Sequence, residues 1–83
     1  MKRLWKFMPK LKPISGKQLV KLFSKLDYAF DHQTSSHIIL RETQPPHRRL
    51  TIPDHDPISI GTLRAIIREA GLTRQEYEKL AQK

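Results

Sequence analysis

The sequence predicts a two-layer α+β domain in which a helix, a three-stranded antiparallel sheet, a second helix and a short C-terminal helix follow one another. Two segments with apolar residues at helical spacing flank a central stretch, Tyr28 to Ile52, whose apolar residues alternate instead. Each helical segment opens on a capping residue, and no repeat or low-complexity tract interrupts the order. At 83 residues the chain holds one such domain. A domain of that size buries only about 60% of the surface its unfolded chain exposes, too little to enclose a large cofactor pocket.

The first helix is expected from about Gly16 to Leu26. Ser15 followed by Gln18 makes a capping box, and Leu19, Leu22, Phe23 and Leu26 form one apolar stripe. Lys17, Lys21 and Lys25 recur every four residues on the other side. Three strands follow as YAFDHQ, HIILRE and RRLTIP, divided by TSS and TQPPH. Alternation assigns Tyr28, Phe30, Ile38, Leu40, Leu50 and Ile52 to the buried face, and His37, Ile39, Arg41, Arg49 and Thr51 to the open one. Pro45 and Pro46 lack the amide a ladder needs and belong to a connection. After PDHDP, the segment SIGTLRAIIREAG regains helical spacing through Ile60, Leu63, Ile66, Ile67 and Ala70, with Ser59 as N-cap and Gly71 as stop. The last helix begins at TRQE, where Thr73 and Glu76 form a second capping box, and Tyr77 with Leu80 closes over the core.

Composition then narrows the function classes. The chain has no cysteine, which removes disulfide staples, thiolate zinc sites and cysteine nucleophiles, and makes a reducing cytoplasm the simplest location. The opening MKRLWKFMPKLK has no apolar run long enough for a secretory signal, and no stretch could span a bilayer, so a soluble protein without a membrane partner is expected. The formal net charge is +8 and the pI about 10.2. Lys2, Arg3, Lys6, Lys10, Lys12, Lys17, Lys21 and Lys25 all precede the first acidic residue, Asp27, and basic and acidic residues balance beyond it. The excess is N-terminal. It suits a polyanionic partner, because lysine and arginine release counterions from phosphate backbones. Residues 1–8 read as a basic extension, in which the LWKFM cluster ahead of Pro9 is a basic arm, and residues 9–83 as a single domain.

Of the four histidines, His37 falls on the open, basic side of the sheet. Pattern alone makes it a polar surface residue. Imidazole has an unperturbed pKa of about 6.5, so both protonation states are populated near neutrality and it can give or take a proton. His55, in PDHDP, reads either as a second acid–base group or as a turn residue paired with Asp54 or Asp56. His32 and His47 have no supporting context. No helical i, i+4 pair and no His-x-His spacing occurs, so neither a metal site nor a cofactor is expected.

Taken in order, these motifs resemble the HicA (YcfA-like) toxins of bacterial and archaeal toxin–antitoxin pairs. The opening MPKLKPISGKQLVKLFSKL is similar to that family's start and first helix, and IGTLRAIIREAGLTRQEY to its last helices. Between them Ser35, Ser36 and His37 stand where the family has Gly-Ser-His, Ile39 where it has an aromatic residue, and Pro53 and His55 where a proline and a histidine follow the third strand. The resemblance covers roughly Met8 to Leu80, so Met1 to Phe7 reads as an extension or Met8 as an alternative initiator.

The resemblance implies a fold similar to the double-stranded-RNA-binding domain and a metal-independent endoribonuclease, an mRNA interferase, acting on translated mRNA. His37 would be its general acid–base residue. Arg41, further along the same face, and then Arg49 are the candidates for holding the scissile phosphate, with Ser36 at the turn and Lys17 and Lys21 tracking the RNA backbone. A HicB-type antitoxin would cover this face. Ser35 and Asp27 both replace glycines common in the family; if those positions need positive φ, serine is strained there and aspartate is not. The rival readings are an RNA-binding module of the same fold that does not cut, and a basic protein-interaction domain.

Overall fold

In the computed structural model, which describes residues 11–82, helix α1 (Gly16–Phe23) starts at its capping box. Ser15 Oγ accepts from the Gln18 amide, and the Gln18 side chain accepts from the Ser15 amide. The helix stops three residues short of the expected Leu26. There the Ser24 hydroxyl donates to the Lys21 carbonyl, and the amides of Lys25 and Leu26 reach only three residues back, so the spiral tightens and ends. Asp27 then redirects the chain with a φ of 56°. Its short polar side chain tolerates that left-handed conformation.

The strands β1 (Tyr28–Gln33), β2 (His37–Glu42) and β3 (Arg49–Pro53) form one antiparallel sheet with β2 in the centre. Tyr28, Ile38, Leu40, Leu50 and Ile52 are buried as alternation requires. Phe30 is a correction: expected inside, it is 60% exposed. It pairs with Leu40 and so shares the helix side of the sheet, but it stands on an edge strand, while the helices pack chiefly over β3. Ile39 is the converse. Assigned to the open face, it is nevertheless buried, without belonging to the core cluster.

Helix α2 (Ile60–Glu69) is capped by Ser59, whose side chain accepts from the Thr62 amide, and ends at Gly71 with a φ of 78°. Helix α3 (Arg74–Ala81) starts at the Thr73–Glu76 box. Leu63, Ile66, Ile67, Ala70 and Tyr77 face the same core as Leu19 and Phe23. Leu11 and Ile58 join it from segments with no periodicity to announce them.

Tyr28 and Tyr77 are the chain's two tyrosines. Burial, aided by the carboxylates of Glu42 and Glu78 respectively, pushes both phenols above their ordinary range. A phenol that holds its proton more tightly folded than unfolded contributes stability that is complete below the unfolded pKa of about 10 and is lost as pH rises through the folded value. The urea midpoint should therefore fall as pH passes about 10. Tyr28→Phe should flatten part of that fall.

Candidate active site

His37 stands at the start of the central strand, and the hairpin before it fixes its position. The Thr34 amide donates to the His37 carbonyl (2.9 Å), and the His37 amide donates to Thr34 Oγ1 (3.2 Å), leaving Ser35 and Ser36 as the loop. Among the described residues the positive φ values belong to Asp27, His47 and Gly71. Ser35 thus occupies ordinary backbone, and its replacement of glycine strains nothing. The Ser36 carbonyl accepts from the Asp54 amide (3.0 Å), and its Oγ stands 3.2 Å from His37 Nδ1. Gln33 Nε2 donates to Asp54 Oδ2 (3.2 Å). These bonds tie the turn to the segment that follows β3.

The N-terminus of α1 is tied to that segment as well. The Gly16 amide donates to the His55 carbonyl (2.9 Å), and the Ile58 amide to the Ile14 carbonyl (2.8 Å). A Cβ on Gly16 would overlap the Pro53 carbonyl oxygen, so only glycine allows the helix this close. Pro53 pairs with His37 across the sheet. The first turn of α1, with exposed Lys17, consequently lies at the His37 end of the domain. Lys21, also exposed, is one turn further on, about 6 Å along the helix axis. Both lysines belong to the helical layer, whereas Arg41 and Arg49 belong to the open face, so the four do not form one continuous row.

On the open face Arg41 pairs with Arg49, and Ile39 pairs with Thr51 on one side and His32 on the other. Along β2, Ile39 has His37 before it and Arg41 after it on the same face. It therefore has a neighbour in all four directions, which buries it as the floor of a polar surface. At about 3.3 Å rise per residue, the backbone at Arg41 is about 13 Å from that at His37. The two arginines occupy the far end of the face, each exposed.

Strict alternation would turn His32 toward the helices. A β-bulge prevents this: the register passes from Phe30 opposite Leu40 to His32 opposite Ile39, leaving Asp31 as an extra residue. His32 thereby joins the open face as a diagonal neighbour of His37. Asp31 Oδ2 lies 2.8 Å from His32 Nδ1. That bond, with weaker help from Arg41 and Arg49, holds the Asp31 carboxyl below its usual range, consistent with Asp31 lying on the arginine side of the sheet.

His55 is exposed, its carbonyl is taken by Gly16, and among the described residues it makes no ion pair with Asp54 or Asp56. His47, with a φ of 60°, has its Nδ1 3.1 Å from the Glu42 carbonyl oxygen, in the β2–β3 connection. Among the described residues no three His, Asp or Glu side chains gather where they could hold a metal ion, and no helix is long and apolar enough to cross a membrane. The LWKFM cluster and the boundary expected at residue 8 lie outside the described residues.

A family model described as HicA toxin of bacterial toxin-antitoxin matches residues 16–72. The match runs from the first residue of α1 to just beyond α2 and includes the hairpin, all three strands and His37. Neither a curated protein nor a solved structure matches the chain.

Proposed function

Since the chain belongs to the HicA toxin family and is thus the toxin of a toxin–antitoxin system with an antitoxin as partner, we propose that it is a metal-independent endoribonuclease that cuts mRNA in the cytoplasm. The observation that carries this reading is the setting of His37: exposed, at the end of a basic sheet face, with Nδ1 beside the Ser36 hydroxyl and Nε2 left for a substrate. RNA carries its own nucleophile. Its 2′-hydroxyl can attack the adjacent phosphorus once a base takes the proton, a task that suits a neutral imidazole and is worth about 10²–10⁴ in rate.

Arg41 and Arg49, some 13 Å along the face, then hold the backbone beyond the scissile phosphate, and Lys17 steadies it at the near end. A surface of this charge also suits a HicB-type antitoxin that presents acidic groups to it. His55 could serve as a second acid–base group, but nothing orients its ring. The reading of a binder that does not cut loses the support that strain at Ser35 would have given it.

The test is incubation of the purified protein with a long unstructured RNA in EDTA. Cleavage is expected, together with RNA affinity that falls as salt rises. Binding without cleavage would overturn the enzyme reading, and negligible binding at low salt would favour a protein-interaction domain instead.

A further inference from the structure

Cleavage by 2′-hydroxyl attack needs two proton movements. One proton leaves the 2′-oxygen, and another must reach the 5′-oxygen, whose departure as an alkoxide is otherwise slow. His37 accounts for one group. The second is most economically an imidazole on the same face, close to the first and held in one orientation.

His32 meets each requirement. The bulge at Asp31 sets it opposite Ile39, and Ile39 precedes Arg41 and follows His37 by two residues on the central strand. His32 and His37 are therefore diagonal neighbours across an antiparallel pair, a relation that separates backbone positions by about 7–8 Å and brings long or aromatic side chains within reach of a shared group. An ionised carboxylate can only accept, so the 2.8 Å contact with Asp31 Oδ2 makes Nδ1 the donor and leaves Nε2 as the nitrogen that can exchange a proton with substrate. The His32 side chain is 55% exposed, so RNA can approach it. By contrast His55 sits in a loop with no side-chain partner among the described residues.

The geometry points to His32 as the second acid–base residue of the site, oriented by Asp31 and protonating the 5′-oxygen while His37 takes the 2′-hydroxyl proton. In this step the bond from phosphorus to the 2′-oxygen forms and the bond from phosphorus to the 5′-oxygen breaks, its electron pair going to the 5′-oxygen. The 2′-hydroxyl proton passes to His37 Nε2 and the His32 Nε2 proton to the 5′-oxygen. The products are a 2′,3′-cyclic phosphate and a 5′-hydroxyl, and solvent restores both imidazoles. Asp31 acts through His32 as a positioning residue. The inference rests on the cleavage reading above.

Two substrates separate the roles, both assayed in EDTA: ordinary RNA, and a nucleoside 3′-(nitrophenyl phosphate) whose leaving group departs without a proton. His32→Ala and His32→Gln should each slow RNA cleavage by about 10²-fold or more yet slow the activated substrate by less than about tenfold. Asp31→Asn should show the same pattern with a smaller loss, and His37→Ala should slow both substrates. Cleavage of RNA by the His32 variants near the wild-type rate would overturn the assignment while leaving the endoribonuclease standing. Equal losses on the two substrates at retained RNA affinity would also overturn it, as would transfer of the leaving-group pattern to His55→Ala. No cleavage by the wild-type protein would instead overturn the cleavage reading itself.

Discussion

His37→Ala should lower the rate of RNA cleavage by about 10²–10⁴-fold, the usual worth of a positioned proton-transfer group, with little change in RNA affinity or stability. The separation follows from where the residue sits. The bonds that build the hairpin use the His37 amide and carbonyl, which alanine retains. The ring is exposed, and its one polar contact among the described residues is with Ser36 Oγ. Removing an exposed side chain of this kind usually changes stability by less than about 0.5 kcal/mol. In the proposed reading phosphate affinity rests on Arg41, Arg49 and the lysines, whose charges the substitution leaves alone. Single-turnover rates at saturating protein, set beside melting curves and salt-dependent binding, check all three parts. A matched loss of affinity and rate would mean that His37 serves binding rather than proton transfer.

Gly16→Ala should produce the largest loss of stability among alanine substitutions at the three glycines. The added carbon would overlap the Pro53 carbonyl oxygen, which is rigid backbone, so either α1 or the segment after β3 must move. Overpacking of this kind costs about 1–3 kcal/mol and sometimes more. Against the total expected of a chain this long, on the order of 4–12 kcal/mol, that is a large fraction. The displacement would also weaken the bond from the Gly16 amide to the His55 carbonyl and disturb Pro53, the partner of His37. Activity should fall with stability.

Gly61→Ala provides the contrast, because a Cβ there meets nothing. On an exposed position of α2 it should raise stability by up to about 1 kcal/mol through helix propensity. Urea unfolding of the two variants should give opposite shifts from the same chemical change. A neutral result at Gly16 would mean that the close approach of helix and strand is not a constraint.

Much of this fold can be read from short patterns. The two capping boxes locate the starts of α1 and α3, Ser59 and Gly71 bracket α2, and alternation identifies every buried residue of β2 and β3 except Ile39. What alternation misses shares a physical cause: it assumes one residue per rung and an equally covered face. The extra residue at Asp31 breaks the first assumption and carries His32 across the sheet. Phe30 breaks the second, because the helices lie chiefly over β3, the opposite edge of the sheet, and leave the helix side of β1 open at Phe30. Ile39 is hidden by side chains from three strands, a feature no single run of sequence displays. At the site, the Ser35-Ser36-His37 sequence pointed to the turn and its histidine, but the pairing of His37 with Pro53 and the anchoring of Gly16 are long-range contacts without a local signature. An aspartate next to a histidine in a strand that loses its alternation is the one sequence cue that could have drawn attention to His32.

The central claim, that His37 promotes attack by the RNA's own 2′-hydroxyl, is tested most directly by the chemical ends of the products made in EDTA. Mass spectrometry should find 2′,3′-cyclic phosphates paired with 5′-hydroxyls, and a substrate with deoxyribose at the cleaved position should stay intact. Products ending in 3′-hydroxyl and 5′-phosphate, or cutting at the deoxyribose, would show that water or another nucleophile attacks the phosphorus and would contradict the account.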